Sequence, residues 1–150
     1  MATASSTYPN PGYAAAAAID GDRTGVNWGA GGGWNDATRS VFPDWLEVNF
    51  GGQKSVSIVR VVTLQNDYGS ALDPTATTAA TVYGLRDFDV EFWDGSGWRL
   101  VPGGQVRSND LALRTLIFPE VTTDRVRVVV RAAREHFSRV VELEAIGCSQ

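Results

Sequence analysis

Among 150 residues the chain has one cysteine, Cys148, and one histidine, His136. A lone cysteine cannot close an intrachain disulfide, so a disulfide-stapled scaffold is excluded. None is needed, because a domain of this length buries roughly 68–70% of its unfolded surface. The same scarcity leaves no His/Cys cluster with zinc spacing, and no phosphate-cradling loop of the Walker type occurs. It also argues against a Cys–His or Ser–His–acid site. Lysine is nearly absent: Lys54 stands against twelve arginines, and the net charge is -4. An acidic chain without a basic cluster makes a poor nucleic-acid or anionic-membrane surface. No apolar run approaches the roughly 20 residues of a spanning helix. The longest small-residue run, residues 14–18, follows no charged n-region, so a signal peptide is not expected in this sequence.

What is present reads as β-structure. Trp45-Leu46-Glu47-Val48-Asn49-Phe50 alternates apolar and polar residues and meets Gly51-Gly52, the pattern of a half-buried strand. Residues 56–64 are rich in β-branched side chains and predict a more buried strand. Phe88-Asp89-Val90-Glu91-Phe92-Trp93 alternates, and Asp94-Gly95-Ser96-Gly97 turns it into Trp98-Arg99-Leu100-Val101, a hairpin signal. Residues 113–118, 125–130 and 140–146 complete the set, and only residues 13–19 suit a short helical turn. Trp45, Trp93 and Trp98 fall in strands as core or sheet-face residues. Arg125, Arg127 and Arg131 alternate along one strand as a solvated face. The length and the absence of a linker predict a single domain, 1–150, with a sandwich or jelly-roll architecture. Two connections, residues 27–44 with Trp28 and Trp34 and residues 66–87, exceed the usual 4–6 residues and mark candidate functional loops.

One constellation spans both ends. Asp20-Gly21-Asp22 with Thr24 offers carboxylate, carbonyl and hydroxyl oxygens around a tight bend, and Glu142 lies in a strand-like segment far along the chain. Calcium favours oxygen donors of this kind. The same residues equally make a plain Asp-Gly turn and an exposed Glu, and spacing alone does not separate the two.

The order of motifs carries a resemblance. Ala4-Ser5-Ser6, Ala18-Ile19-Asp20-Gly21-Asp22 with Thr24 and Trp28, and Pro43-Asp44-Trp45-Leu46-Glu47-Val48-Asn49-Phe50-Gly51 come first. Phe88-Asp89-Val90, Trp93-Asp94-Gly95 with Trp98, Val126-Arg127-Val128 and Ser138-Arg139-Val140-Val141-Glu142-Leu143-Glu144-Ala145 follow. Together they resemble the discoidin family, also called coagulation factor 5/8 type C, whose bacterial members include family 32 carbohydrate-binding modules. The resemblance implies an all-β, eight-stranded antiparallel jelly-roll sandwich with neighbouring termini and a structural calcium ion. Its ligands would be the side chains of Asp20 and Glu142, Thr24 through hydroxyl or carbonyl, and the carbonyls of Ala17, Asp22 and Val141. Asp20 and Trp28 stand slightly further apart than is usual in the family.

The resemblance further implies a non-catalytic module that binds glycan through loops at one end. Those loops map to Trp34, Asn35, Asp36 and Arg39, then Gln65, Asn66, Asp67 and Tyr68, then Glu135, His136 and Phe137. Amide, carboxylate and guanidinium groups suit vicinal hydroxyls. An aromatic ring suits the apolar face of a pyranose, and Phe137 or Tyr68 would supply it. The His, Arg and Asn trio of galactose-binding relatives is not found at matching positions, so the sugar stays open. The resemblance places such a module in a larger secreted or cell-surface protein. The alternative is a discoidin domain that binds protein or phospholipid. Residues 66–83 offer Tyr68 and Leu72 but no basic side chain for an anionic headgroup.

Overall fold

A computed structural model describes residues 1–147. Cys148 lies outside the described residues. Among the described residues eight strands form: β1 (Ala2–Ala4), β2 (Trp34–Asn35), β3 (Asp44–Val62), β4 (Leu85–Trp93), β5 (Trp98–Val106), β6 (Leu113–Ala133), β7 (Arg139–Val140) and β8 (Glu142–Ile146). All pairings are antiparallel, and the family-level expectation of an eight-stranded β-sandwich holds.

The two longest strands do most of the architectural work. Near its start β3 pairs with the end of β6, Leu46 opposite Val128, and near its end it pairs with the start of β6, Val59 opposite Leu116. Register shifts lie between Asn49 and Lys54 and between Val56 and Ile58, and such bulges bend strands. The first half of β3 and the last part of β6 join β1 and β4, with β5 beyond β4, and the second half of β3 joins β8. The expected stop at Gly51-Gly52 is therefore a bend within one continuous strand, and residues 113–118 and 125–130 likewise belong to one strand. Between the layers lie Leu46, Val59, Val61, Phe88, Val90, Val128, Val130 and Leu143, each at most 4% exposed. Burying a side chain of this size stabilises by roughly 1.5–3 kcal/mol.

Outward-facing residues of the larger layer behave as their alternation predicts. Arg127 Nε reaches Glu91 at 2.6 Å, Arg131 Nε reaches Asp89 at 3.2 Å, and Arg125 Nε reaches Asp124 at 3.0 Å. Trp93 and Trp98 meet edge to face at 5.6 Å, with Arg125 over the first ring and Arg127 over the second.

Two features position the loops. The expected strand over 140–146 is broken at Val141, whose N–H donates to Val62 O at 2.7 Å. This frees Arg139 and Val140 to pair with Asn35 and Trp34. A second apolar cluster, Val62, Leu64 and Val141, lies under Trp28, Tyr68, Tyr83 and Leu113. The expected helical turn near residue 13 is present as two 3-10 segments, Pro11–Tyr13 and Ala15–Ile19.

Candidate functional site

The bend after Ala15–Ile19 brings the two ends of the chain together. Gly21 adopts φ 89°, a conformation that glycine takes without steric cost. Its N–H donates to Glu142 Oε1 at 3.0 Å. Asp22 N–H donates to Asp20 Oδ1 at 2.9 Å, and both the N–H and the hydroxyl of Thr24 donate to Asp22 Oδ1. The carboxylate of Asp22 thus holds the turn. Glu142 is 4% exposed, and its Oε2 is buried without a hydrogen-bond partner. Burial pushes its pKa up from the ordinary 4.5 to about 7; the Asp20 charge adds to the rise, and the Gly21 N–H opposes it.

A buried, unpartnered carboxylate oxygen beside a second acid is costly unless something positive joins it. Among the described residues no group of three or more His, Cys, Asp or Glu side chains gathers. The carboxylates of Asp20 and Glu142 and the neutral oxygens beside them are nonetheless of the kind a hard cation takes. Gln65 closes this region from the other side. Its Nε2 donates to Thr24 O at 3.1 Å and to Leu72 O at 3.0 Å, tying the bend to the long loop that follows β3. Arg23 repeats the tie through Asp73 at 2.6 Å.

A separate cavity of about 200 Å³ is lined by Tyr8, Tyr13, Trp28, Asn35, Phe137 and Arg139. Its aromatic walls meet edge to face in series. Phe137 and Tyr8 stand 5.7 Å apart, Tyr8 and Tyr13 5.6 Å, and Tyr13 and Trp28 5.5 Å. Backbone contacts set each ring. Tyr8 N–H donates to Asn35 O at 2.8 Å, and the Asn10 side chain caps the turn that carries Tyr13. Trp28 N–H donates to Gly25 O at 3.0 Å. The Trp28 ring lies so close over Gly33 that a Cβ there would stand 2.6 Å from Cζ3. Phe137 follows two residues in the left-handed region, Glu135 at φ 48° and His136 at φ 71°. Ser40 braces that bend: its N–H donates to His136 O, and its hydroxyl lies 2.9 Å from His136 Nδ1.

Of the residues expected to touch ligand, Asn35 and Phe137 line this cavity. Three others are buried and hold other parts of the structure. Trp34 is 0% exposed, packs in the core and donates its indole N–H to Ser6 O at 2.9 Å. Asp36 is also 0% exposed and accepts from Ser138 N–H, Thr38 N–H and the Thr38 hydroxyl. Gln65, 6% exposed, is the tie described above. The remaining expected residues lie elsewhere on the surface. Arg39, Asp67 and His136 are exposed, Asn66 holds Thr81 and Val82 through its amide, and Tyr68 packs on Tyr83 at 5.7 Å.

Beneath the Phe137 loop, Asp44 accepts from the hydroxyls of Ser138 at 2.7 Å and Thr38 at 3.1 Å. Burial raises its pKa, against the lowering effect of the Ser138 bond. Tyr8, Tyr13 and Arg139 are not among the expected site residues, and Trp28 enters only as part of the glycine-rich loop and the family motif. The available signal for the tyrosines was their pair of positions flanking Pro9-Asn10-Pro11-Gly12, a turn that folds both back onto one face.

Comparisons with known proteins agree with this architecture. The Clostridium perfringens module CpGH89CBM32-5, solved with GalNAc-beta-1,3-galactose, superposes with a TM-score of 0.72 at 18% identity, covering 98% of this chain and 94% of that one. Chitosan-binding module 2 from the chitosanase/glucanase of Paenibacillus sp. IK-5, solved with chitotriose, gives 0.71 at 17% identity over 98% and 95%. The family 32 module of C. perfringens NanJ, solved with galactose, gives 0.65 at 18% identity over 97% and 91%. These likenesses establish the fold. No curated protein sequence matches the chain significantly. The family model described as the F5/8 type C domain matches residues 1–143, and the chain belongs to that family.

Proposed function

We propose that this domain is a non-catalytic carbohydrate-binding module whose ligand sits in the cavity lined by Tyr8, Tyr13, Trp28, Asn35, Phe137 and Arg139. The cavity itself carries the reading: four aromatic rings line a space of about 200 Å³ whose walls are completed by Asn35 and Arg139. Sugar C–H faces pack on rings, and hydroxyls exchange water for Asn35 and Arg139. Each such exchange yields only about 0.5–1.5 kcal/mol, so affinity for a single sugar is weak to moderate. The names of the structural neighbours, which bind galactose, chitotriose or GalNAc-beta-1,3-galactose, support this class of ligand.

Calcium belongs to the same proposal. It would be held by the side chains of Asp20 and Glu142 and by oxygens of Ala17, Asp22, Thr24 and Val141, bracing the bend that leads to Trp28. Catalysis has no place in it. The lone His136 touches Ser40 at an exposed surface, and no carboxylate hydrogen-bonds its ring among the described residues. A lipid-binding role is opposed by the long loop, where the 82% exposed Leu72 neighbours acidic Asp73. We place the domain in a larger extracellular protein, where tethering would raise its partner's local concentration on a polysaccharide. No described helix is long and apolar enough to cross a membrane. A glycan array probed with and without calcium tests the reading. Binding to defined glycans that is lost in a Tyr8→Ala, Phe137→Ala double variant supports it, and an array blank under both conditions overturns it.

A further inference from the structure

The guanidinium of Arg139 has an unusual set of partners. It is half-buried, and burial lowers its pKa. Its Nη1 donates to the carbonyls of Tyr83 at 3.4 Å and Arg134 at 3.1 Å, and its Nη2 donates to that of Glu135 at 3.2 Å. A guanidinium has five N–H groups and stays charged. These contacts engage at most three of the five, and Nε–H is left without an acceptor among the described residues.

Among the described residues no carboxylate pairs with this charge. The ion pairs among the described residues do not include Arg139. Two acids are near enough to be felt, Glu135 and Asp36. Glu135 presents its backbone carbonyl, and Asp36 directs its carboxylate to Ser138 and Thr38. The Arg139 Cζ instead stands 5.7 Å from the centre of the Phe137 ring and 5.6 Å from that of Tyr83. A partly desolvated cation that lacks a counter-ion and lines a ligand-sized cavity is unfavourable until an anion meets it. The free edge of a guanidinium takes both oxygens of a carboxylate in parallel. Every other wall residue, Tyr8, Tyr13, Trp28, Asn35 and Phe137, is neutral.

We propose that the sugar recognised in this cavity carries a carboxylate, received by the free edge of Arg139 while the aromatic walls hold the ring. This inference rests on the reading of the cavity as a glycan site and narrows it to acidic sugars. Local chemistry, not overall charge, would provide the attraction, since the chain as a whole is at -4.

Two matched pairs of probes test it by calorimetry at low salt. One is trigalacturonate against its methyl ester, and the other is 3′-sialyllactose against lactose. The expected result is at least tenfold tighter binding of the charged member in one pair, reduced as salt is raised. The pair that shows it identifies the acid as a uronate or a sialate. Arg139→Gln should abolish the preference, and Arg139→Lys should keep part of it. Because the ratio is read within a single variant, a general loosening of the three carbonyl contacts does not imitate the effect. Equal binding of charged and neutral members, or an unchanged ratio in Arg139→Gln, overturns the acidic-sugar inference and leaves the glycan site standing. Failure of all four probes, together with a blank array, overturns both.

Discussion

The N–H of Gly21 donates to Oε1 of Glu142 at 3.0 Å across 121 positions of sequence, while Oε2 of the same carboxylate is buried without a partner. One oxygen thus closes the ends of the domain, and the unpartnered one is the observation behind the proposed calcium site. Calcium should therefore stabilise the folded protein. An ion that binds only the folded state adds about 2.7 kcal/mol at a hundredfold excess over its dissociation constant. Thermal melts after exhaustive chelation should fall below melts in millimolar calcium, and Asp20→Ala should erase the difference. Superimposable wild-type melts would remove calcium from the proposal.

The acidity of Glu142 gives the calcium-free protein a characteristic pH dependence. Its folded-state pKa, about 7, lies above the ordinary 4.5, so folding favours the protonated form. The stability this provides is fully present below about 4.5 and is lost as pH rises through about 7. Chelated wild type should accordingly lose stability between pH 5.5 and pH 8 relative to Glu142→Gln, which cannot ionise. Calcium needs the carboxylate, so its stabilising increment should grow over the same interval. A wild type and a Glu142→Gln variant with parallel pH profiles, both chelated, would refute this assignment.

How far the sequence revealed the molecule depended on which physical signal each residue carries. Alternation at residues 45–50 and 88–93 reports which face is buried, and it located those strands well. It could not show that β3 continues through Gly51, because the bend depends on the partner strand's register. The Asp20, Asp22 and Thr24 bend was legible because its bonds are local, two residues apart. The cavity was not, because Tyr8, Trp28 and Arg139 come from three distant segments that meet only in the fold. The burial of Trp34 and Asp36 was hidden for a related reason. They occur in a glycine-rich loop, yet Trp34 pairs with Val140 and Asp36 exchanges hydrogen bonds with Ser138, and both side chains are buried.

Because Trp34 and Asp36 are buried, their loss should be read in stability before affinity. Trp34→Ala removes a fully buried ring and should cost about 3–5 kcal/mol. Asp36→Ala leaves the N–H groups of Thr38 and Ser138 without their acceptor, and an unsatisfied buried group costs about 1–3 kcal/mol. Urea unfolding of both variants measures this directly. A Trp34→Ala protein as stable as wild type, with weakened glycan binding, would return Trp34 to the ligand surface.

Phe137 should behave in the opposite way. It belongs to neither apolar cluster, and its ring neighbours are Tyr8 and Arg139, both walls of the cavity. Phe137→Ala should weaken glycan binding at least tenfold, about 1.4 kcal/mol, while moving the melting midpoint by only a few degrees. Edge-to-face pairs contribute about 0.5–1.5 kcal/mol beyond their burial. Tyr8→Ala and Phe137→Ala should therefore be non-additive in affinity, since each ring holds the other in place. A double-mutant cycle by calorimetry reads that coupling. Additive losses would mean that the rings contact ligand independently. An unaltered affinity in a stable Phe137→Ala protein would exclude the loop from the site, because no rearrangement of the core could then conceal its contribution.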